Sequence, residues 1–277
     1  VRTAASLISA GTEKMLIDLA QKSYLGKAKA RPDLVKQVLN KVRREGLWNT
    51  FQKVLLKMDR PMPLGYSAAG IIEQVGADVR GLQVGERVAM AGAGYANHAN
   101  INFVPKNLVA PIPDGVSFES ASYSTVASIA LQGVRLARPQ LGEYVAVVGL
   151  GLIGLITVQL LKANGCRVIG VDLDASKVAL AKEVGLDQGL VSSEEDATSA
   201  VDAFTNGRGA DHTLITAATK SNEPIELAGE ITRRKGQVVV VGAVGMDIPR
   251  DAYYHKELEV KVSMSYGPGR YDPSYEE

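Results

Sequence analysis

One stretch of glycines restricts the folds open to this chain more than any other feature. Residues 149–154 read Gly-Leu-Gly-Leu-Ile-Gly, and they follow an apolar, β-branched strand predicted over Glu143–Val148. The same residues open an apolar helix predicted over Leu152–Ala163. Glycines cluster in many turns, but here Asp172 also ends the next predicted strand, 21 residues after Gly151. Strand, glycine spacing, helix and distant acid together predict one unit of a parallel α/β sheet.

Each glycine of this motif has a physical role in holding a dinucleotide. Gly149 allows a tight turn, Gly151 lets the backbone approach a pyrophosphate, and Gly154 lets the helix pack closely on the strand. The N–H groups of Leu152 and Ile153 lie at the positive end of the helix dipole, where a pyrophosphate is stabilised. The motif therefore predicts a Rossmann nucleotide-binding domain.

The residues that end the second strand predict which dinucleotide binds. The carboxylate of Asp172 accepts hydrogen bonds from both ribose hydroxyls and repels a 2′-phosphate, whereas an NADP site usually has a small residue followed by arginine. Leu173 follows directly. Lys177, on the first turn of the next helix, can reach the same ribose or can simply be solvated. We therefore predict NAD rather than NADP as the cofactor.

The pattern on either side of the motif predicts two domains. From Ser124 onward, strands and helices alternate at an interval typical of a parallel sheet covered on both faces. The predicted strands are Arg167–Val171, Gly189–Val191, His212–Ile215, Val238–Val241 and Leu258–Val262, and the predicted helices are Ser124–Arg138, Ala175–Val184, Asp196–Phe204 and Pro224–Arg233. Before residue 120, short strands separated by glycine and proline predict a small β-barrel. These strands are Ile71–Val75, Arg87–Ala91 and Ala99–Val104.

A basic helical block interrupts the barrel pattern. Apolar residues recur at helical spacing over Pro32–Lys57, with Gly46 between two amphipathic helices. Between Gln21 and Arg60, eleven Lys and Arg stand against three acids, a net +8 in a chain of formal charge +1. Three interpretations stay open: helices that pack on the barrel, a lid that recruits an anionic substrate, or a docking surface for an acidic partner domain. No recognisable reader motif accompanies the lysines, so we expect no nucleic-acid partner.

Composition narrows the setting of the protein. Cys166 is the single cysteine, which excludes an intrachain disulfide and a thiolate metal cluster and favours a reducing, cytoplasmic location. No apolar run reaches the roughly 18 residues that span a bilayer, so we expect no membrane association. The chain starts as if in the middle of a strand, without a signal-peptide pattern, and stops without a closing element. We therefore expect a fragment that lacks both ends.

Four short motifs add a family resemblance to this pattern. They are Ser9–Glu13, Pro63–Gly70, Val84–Val88 and Val109–Val116. Together with the glycine motif, they resemble the medium-chain dehydrogenase/reductase superfamily, which includes the zinc alcohol dehydrogenases. The resemblance implies an α/β protein. A GroES-like β-barrel domain would cover residues 1–123 with a helical insertion at about 23–62, and a doubly wound Rossmann domain would cover 124–264. Residues 265–277 would start the return to the barrel. A small-molecule substrate in the cleft between the domains and a homo-oligomer are also implied.

The resemblance assigns roles to single residues as well. Ala217, Val241, Gly242 and Ala243 match positions that touch the nicotinamide half of the cofactor, and Lys177 matches a ribose-binding lysine. The zinc ligands of the family, in contrast, would fall at Ala10, at Tyr66 with Ser67, and at Ser124. None of these side chains can hold zinc as Cys, His or Glu would. The sequence therefore predicts a zinc-less branch of the superfamily.

Without a metal, hydroxyl groups are the candidates to stabilise the developing alkoxide. Thr12 matches a proton-relay hydroxyl of the family, and Tyr66 brings a phenol to a former ligand position, although it can also simply fill the volume there. We predict an NAD-dependent oxidoreductase that transfers hydride on an alcohol/carbonyl pair, such as a sugar or another polar metabolite. A quinone or enoyl reductase and a non-catalytic nucleotide-binding scaffold stay open as alternatives. Similar zinc-less proteins are often joined to a second oxidoreductase domain, which is a further candidate partner.

Overall fold

The computed structural model describes residues 1–21, 63–270 and 272 of the 277-residue chain. The basic helical insertion predicted at about 23–62 lies outside the described residues, and so does the end of the segment predicted to return to the barrel. The chain divides into two compact units, Val1–Ser122 and Tyr123–Glu277. Each unit has its own sheet. In the described part of the chain, no helix is both long and apolar enough to cross a membrane.

The first unit contains a four-stranded antiparallel sheet in the order β1-β2-β3-β4. Its elements are β1 Arg2–Ser6, α1 Ala10–Gln21, β2 Ser67–Ile71, β3 Arg87–Ala91, a 3-10 turn at Lys106–Leu108, β4 Val109–Pro111 and α2 Phe118–Ala121. Ala68, Val88 and Met90 form its core at 0–1% exposure. Gly70 allows β1 to approach β2, because a Cβ there would lie 2.1 Å from the Arg2 carbonyl oxygen.

Two of the three strands predicted for this unit were placed wrongly. The strand predicted at Ile71–Val75 is Ser67–Ile71 instead. It is built from small side chains because it lies between two other strands and is buried, so packing rather than β-propensity decides its position. The strand predicted at Ala99–Val104 is absent except for a single bridge between Ile101 and Arg2. There the Asn102 side chain bonds the backbone N–H and C=O of Asn97, and this local pairing competes with strand formation.

The second unit contains a six-stranded parallel sheet in the order β10-β9-β8-β5-β6-β7, which is the Rossmann strand order. Its strands are β5 Tyr144–Val148, β6 Arg167–Asp172, β7 Gln188–Val191, β8 Ala210–Ile215, β9 Thr232–Val240 and β10 Glu259–Val262. Its helices are α3 Ser124–Ala137, α4 Leu152–Ala163, α5 Ala175–Glu183, α6 Ala197–Phe204, α7 Glu223–Ile231 and α8 Arg250–Lys256, with a 3-10 turn at Pro268–Arg270.

Helices cover both faces of this sheet. On one face, α3, α4 and α5 bury Val134, Leu161 and Val178 against the strands. On the other face, α6 and α7 bury Val201 and Ile225. Full burial of one such side chain contributes about 1.5–3 kcal/mol. The doubly wound Rossmann sheet and the α/β class predicted from the sequence are therefore confirmed.

Most elements of the second unit lie within two residues of their predicted bounds, and α4 coincides with its prediction. The largest difference is β9, which begins at Thr232 rather than Val238 and takes the last residues of a predicted helix. The helix α7 ends earlier, at Ile231, because the chain turns there into an extended ladder with β8. The helix α8 was not predicted.

Candidate functional site

The turn after β5 forms a tight cradle of backbone atoms at the carboxyl end of the sheet. Gly149 has a φ of +95°, which favours glycine, and its N–H donates to the Val171 carbonyl over 2.8 Å. The Thr216 hydroxyl donates to the Gly149 carbonyl. A Cβ on Gly154 would lie 2.0 Å from that same carbonyl oxygen. Only a glycine therefore lets α4 rest directly on the turn, as the motif predicted.

The middle glycine of the motif behaves differently. Gly151 is the N-cap of α4, with φ −70° and ψ −168°, and no described side chain caps the helix there. Apart from its chain neighbours, no described atom would lie within 4 Å of a Cβ on Gly151. The first-turn N–H groups of Leu152 and Ile153 have no intrahelical acceptor, and the positive end of the helix dipole adds to their pull on an anion. These residues fit a diphosphate.

Asp172 holds the cradle in a way that the sequence reasoning missed. One of its carboxylate oxygens accepts the N–H of Leu150 over 2.7 Å, and the other accepts the N–H of Asp174 over 3.0 Å. The Lys177 ammonium lies 3.5 Å from the second oxygen. Asp172 therefore orders the glycine turn itself, and its contact with a ribose stays a prediction. Leu173 next to it is exposed.

The start of α5 is fixed by its own cap. The Asp174 carboxylate accepts the N–H and the hydroxyl of Ser176 over 2.9 and 2.6 Å. These hydrogen bonds, the one from the hydroxyl first, hold the pKa of this exposed carboxyl below its usual value. The cap places Lys177 in the first turn of α5, within reach of Asp172.

The residues assigned to the nicotinamide half follow β8 and β9 at the same carboxyl edge. The Ala217 N–H donates to the Val148 carbonyl over 3.1 Å, and the Gly242 N–H donates to the Ile215 carbonyl over 2.9 Å. A Cβ on Gly242 would lie 2.0 Å from the Ala217 oxygen, and one on Gly149 would lie 2.6 Å from the Ala217 nitrogen. The structure thus brings Gly149, Ala217 and Gly242 into contact. The neighbouring Val241 and Ala243 complete this stretch; their contact with a cofactor stays a prediction.

The two candidate hydroxyl groups belong to the first unit. Thr12 lies in the first turn of α1, just after β1, and Tyr66 lies just before β2. Ser6 pairs with Ala68, so the end of β1 meets the start of β2 and the two hydroxyl-bearing segments share one end of the sheet. Thr12 is exposed and Tyr66 is half-buried. Within residues 1–21 and 63–270, no hydrogen bond joins either hydroxyl to another group.

The side chains around these hydroxyl groups do not fit a zinc ion. Ala10 offers only a methyl group, and the buried Ser67 hydroxyl donates to the Ser122 carbonyl over 2.5 Å. Among the residues that the structure describes, no three His, Cys, Asp or Glu side chains lie close enough to share a metal ion. Serine, tyrosine and alanine do not replace the thiolate and imidazole ligands that zinc prefers.

A pair formed by the buried Glu13 carboxylate and the His98 imidazole lies beside Thr12, and sequence reasoning did not find it. The Glu13 side chain is 7% exposed; one oxygen accepts the Ser9 N–H over 2.8 Å, and the other lies 2.9 Å from Nε2 of His98. Nδ1 of His98 lies 2.9 Å from the Ser6 hydroxyl. We call the side chains of Ser6, Glu13 and His98 the His98 bridge. A separation of 85 residues hides the contact from any local pattern.

Comparisons with known proteins agree with both units. A family model described as zinc-binding dehydrogenase matches residues 153–276, and one described as alcohol dehydrogenase GroES-like domain matches residues 35–115. An alcohol dehydrogenase of Geobacillus stearothermophilus is 30% identical over 222 residues, covering 70% of this chain and 65% of that protein. The sorbitol dehydrogenase of Bacillus subtilis is 27% identical over 247 residues, covering 79% and 69%.

A solved structure also has a similar fold. Galactitol-1-phosphate dehydrogenase from Escherichia coli superposes with a TM-score of 0.65 at 25% identity, covering 74% of this chain and 68% of that one. The chain thus spans about two thirds of the length of the proteins that it matches.

Proposed function

This chain belongs to the medium-chain dehydrogenase/reductase superfamily, and we propose that it is an NAD(H)-dependent oxidoreductase that interconverts an alcohol and a carbonyl without zinc. The observation that carries the proposal is the cradle after β5: Gly154 lies against the turn, Gly151 is open, and the start of α4 has no side-chain cap. A diphosphate anion stabilises such a helix start.

Asp172 supports NAD(H) as the dinucleotide. Its carboxylate is fixed by the Leu150 N–H, so it cannot swing away from a ribose 2′-phosphate without releasing the glycine turn. A second negative charge beside a fixed carboxylate is unfavourable. Lys177 offers partial compensation, but it already lies close to both Asp172 and Asp174.

Two variants of Asp172 separate the charge from the hydrogen bond. Asp172→Asn keeps an oxygen for the Leu150 N–H and removes the charge, so we expect NADPH to bind more tightly than it binds to the wild type. Asp172→Ala also frees the turn, so both dinucleotides should bind more weakly. Calorimetry on the intact protein measures both. Tighter binding of NADPH than NADH by the wild type would refute the cofactor preference.

The chemistry proposed for this chain needs few groups. A nicotinamide dinucleotide, held by the turn at Gly149–Gly154 and by Asp172, would supply the hydride chemistry that interconverts an alcohol and its carbonyl form. The hydroxyl of Thr12 or Tyr66 donates a hydrogen bond to the substrate oxygen and so stabilises the negative charge that develops there. When the reaction runs toward the carbonyl, the same hydroxyl accepts the alcohol proton and at the same time passes its own proton on to solvent water. Neither hydroxyl is bonded to another described residue, which leaves it available to a substrate.

Polyols and related polar metabolites are the proposed substrate class. The relatives include a sorbitol dehydrogenase and a galactitol-1-phosphate dehydrogenase, whose names state a polyol and a phosphorylated polyol. The excess of positive charge between Gln21 and Arg60 supports an anionic substrate. An acidic partner at the same basic block, a homo-oligomer and a cytoplasmic location are further parts of the proposal. The buried free thiol of Cys166 is compatible with a reducing compartment.

Turnover on a panel of polyols, sugar phosphates and their carbonyl forms tests the activity. We expect Thr12→Val or Tyr66→Phe to lower turnover while NADH binding stays unchanged, and we expect dialysis against a zinc chelator to leave turnover unchanged. If both variants keep wild-type turnover, the hydroxyl roles are wrong. Loss of turnover on chelation, restored by zinc, would show a metal enzyme. Reduction of quinones in preference to every compound of the panel would favour a quinone reductase. Absence of turnover on all compounds would favour a non-catalytic nucleotide-binding scaffold.

A further inference from the structure

We propose that the His98 bridge is a positioning device, which holds Thr12 and Tyr66 at a fixed separation so that one substrate oxygen can meet both segments. This inference rests on the proposed function, since it assumes that at least one of the two hydroxyl groups bonds the substrate. It adds a role for His98 and Glu13 that acts through those hydroxyl groups and not on the substrate itself.

The first step is that His98 is bonded to both hydroxyl-bearing segments. Its ring meets Ser6 at the end of β1 and Glu13 in the first turn of α1. Its backbone N–H donates to the Leu64 carbonyl over 2.9 Å, two residues before Tyr66. One residue therefore ties the segment that carries Thr12 to the segment that carries Tyr66.

The second step is the close contact between His98 and Gly65. A Cβ on Gly65 would lie 2.7 Å from the His98 backbone nitrogen and 3.0 Å from its Nδ1. Gly65 also has a φ of +94°, a conformation that favours glycine. The residue directly before Tyr66 is thus packed on the His98 ring and backbone, so a displaced ring would displace Tyr66 with it.

The third step is that the polar side-chain atoms of the His98 bridge all have hydrogen-bond partners. Burial of a carboxyl group is unfavourable unless its oxygens are hydrogen-bonded. Both oxygens of Glu13 have a partner, the Ser9 N–H and the His98 ring, and both ring nitrogens of His98 have one. A neutral ring satisfies all of them when Nε2–H donates to Glu13 and Nδ1 accepts the Ser6 hydroxyl proton. The Ser9 bond fixes the first turn of α1 at the same time.

Rigid placement of this kind has a kinetic consequence. Misplacing a catalytic group by about 1 Å can lower a rate by roughly 100-fold, even when the mutated residue never touches the substrate. Removing the Glu13 contact frees the start of α1 relative to the Leu64–Tyr66 segment. We therefore expect turnover to fall while dinucleotide affinity stays unchanged, because the cradle after β5 shares no residue with the bridge.

The test compares three variants of His98 and its partners with a matched control. His98→Asn keeps a group near Ser6 and loses Glu13, and we expect kcat to fall about 10- to 100-fold. His98→Gln can still reach Glu13, so it should restore most of the turnover. Should His98→Asn fail to fold, Ser6→Ala, which removes only the contact at Nδ1, should also lower kcat. The steady-state kcat and the NADH affinity are measured on the intact protein.

The control is His212→Asn. His212 forms a similar half-buried pair with Glu143 at 3.0 Å in the second unit, far along the chain from either hydroxyl. Its loss should lower the melting temperature without changing kcat. A further comparison starts from the double variant Thr12→Val, Tyr66→Phe, which lacks both hydroxyl groups. Adding His98→Asn to this double variant should cause no further fall in kcat.

Each other result overturns the inference in a recognisable way. If His98→Asn lowers only the melting temperature, as His212→Asn does, the bridge is structural and the proposed function stands. If it lowers kcat equally in the background without the two hydroxyl groups, His98 acts independently of them. If Thr12→Val and Tyr66→Phe alone keep wild-type turnover, the proposed hydroxyl roles fail first, and the positioning role fails with them.

Discussion

Replacing Gly151 by alanine tests the cradle directly, because this substitution should leave the fold intact. The backbone at Gly151 has φ −70° and ψ −168°, which alanine adopts without strain. In the part of the chain that the structure describes, the added methyl group would have no atom within 4 Å other than those of its chain neighbours. We expect the free energy of unfolding to change by less than about 0.5 kcal/mol. The methyl group would instead occupy space beside the first-turn N–H groups of α4.

The expected cost in binding follows from those N–H groups. A diphosphate kept away from the helix start loses at least one hydrogen bond to a charged oxygen, which is worth about 1.5–3 kcal/mol. That loss corresponds to an NADH dissociation constant raised roughly 10- to 150-fold. Calorimetric titration with NADH measures the constant, and thermal unfolding checks the fold.

Gly154→Ala, in contrast to Gly151→Ala, should change the stability of the fold. Its methyl carbon would lie 2.0 Å from the Gly149 oxygen and 3.0 Å from the Thr216 hydroxyl, so α4 must move outward. Overpacking of this kind costs about 1–3 kcal/mol, against a gain of about 1 kcal/mol in helix propensity. We expect a lower melting temperature as well as weaker binding. Gly76→Ala, whose nearest contact would be an ordinary 3.6 Å, is the neutral control. Wild-type NADH affinity in a folded Gly151→Ala protein would refute the cradle.

Three further predictions concern stability. Burial raises the pKa of the Tyr253 phenol, so the folded state favours the neutral phenol and the free energy of unfolding should fall as the pH rises above about 10. In Tyr253→Phe, urea unfolding should show a smaller fall over the same pH range. An equal fall in the variant and the wild type would contradict the prediction. Hydrogen bonds, first from Ser199, lower the pKa of Asp196 at the start of α6. Asp196→Ala should therefore lower the urea midpoint at pH 7, and this difference should shrink as the pH falls below about 3.9, the pKa of an unfolded Asp, and through the lower pKa of the folded state. A difference that stays constant over this range would exclude a contribution from the charged cap. Gly70→Ala should melt several degrees lower, since its methyl group would lie 2.1 Å from the Arg2 oxygen; an unchanged melting temperature would mean that β1 and β2 can separate freely.

The sequence predicted the second unit well because its signals are local. The glycine spacing, the apolar run of α4 and the acid at the end of β6 each depend on residues close in the chain, and sheet order then follows from the fold class. The role of Asp172 in bonding Leu150 was missed, although the pair is only 22 residues apart, because the motif draws attention to the ribose.

The first unit was predicted less well because its structure depends on contacts between distant residues. The strand β2 has small side chains chosen by burial between β1 and β3, and alternation of large apolar residues does not mark it. Glu13 and His98 look like ordinary surface residues in a linear reading. Only the pairing of β1 with β2 and the loop that follows β3 brings them to 2.9 Å.

The residues proposed to bind the dinucleotide and those proposed to bind the substrate therefore differ in kind. The cradle is made of backbone N–H groups, carbonyl oxygens and missing Cβ atoms at Gly149, Gly154 and Gly242. Backbone geometry of this kind tolerates exchange of most surrounding side chains. The hydroxyl groups of Thr12 and Tyr66, in contrast, are side chains, and a single substitution changes their chemistry. We therefore expect dinucleotide binding to tolerate most side-chain substitutions near the cradle, whereas turnover should depend on the two hydroxyl groups and on the His98 bridge.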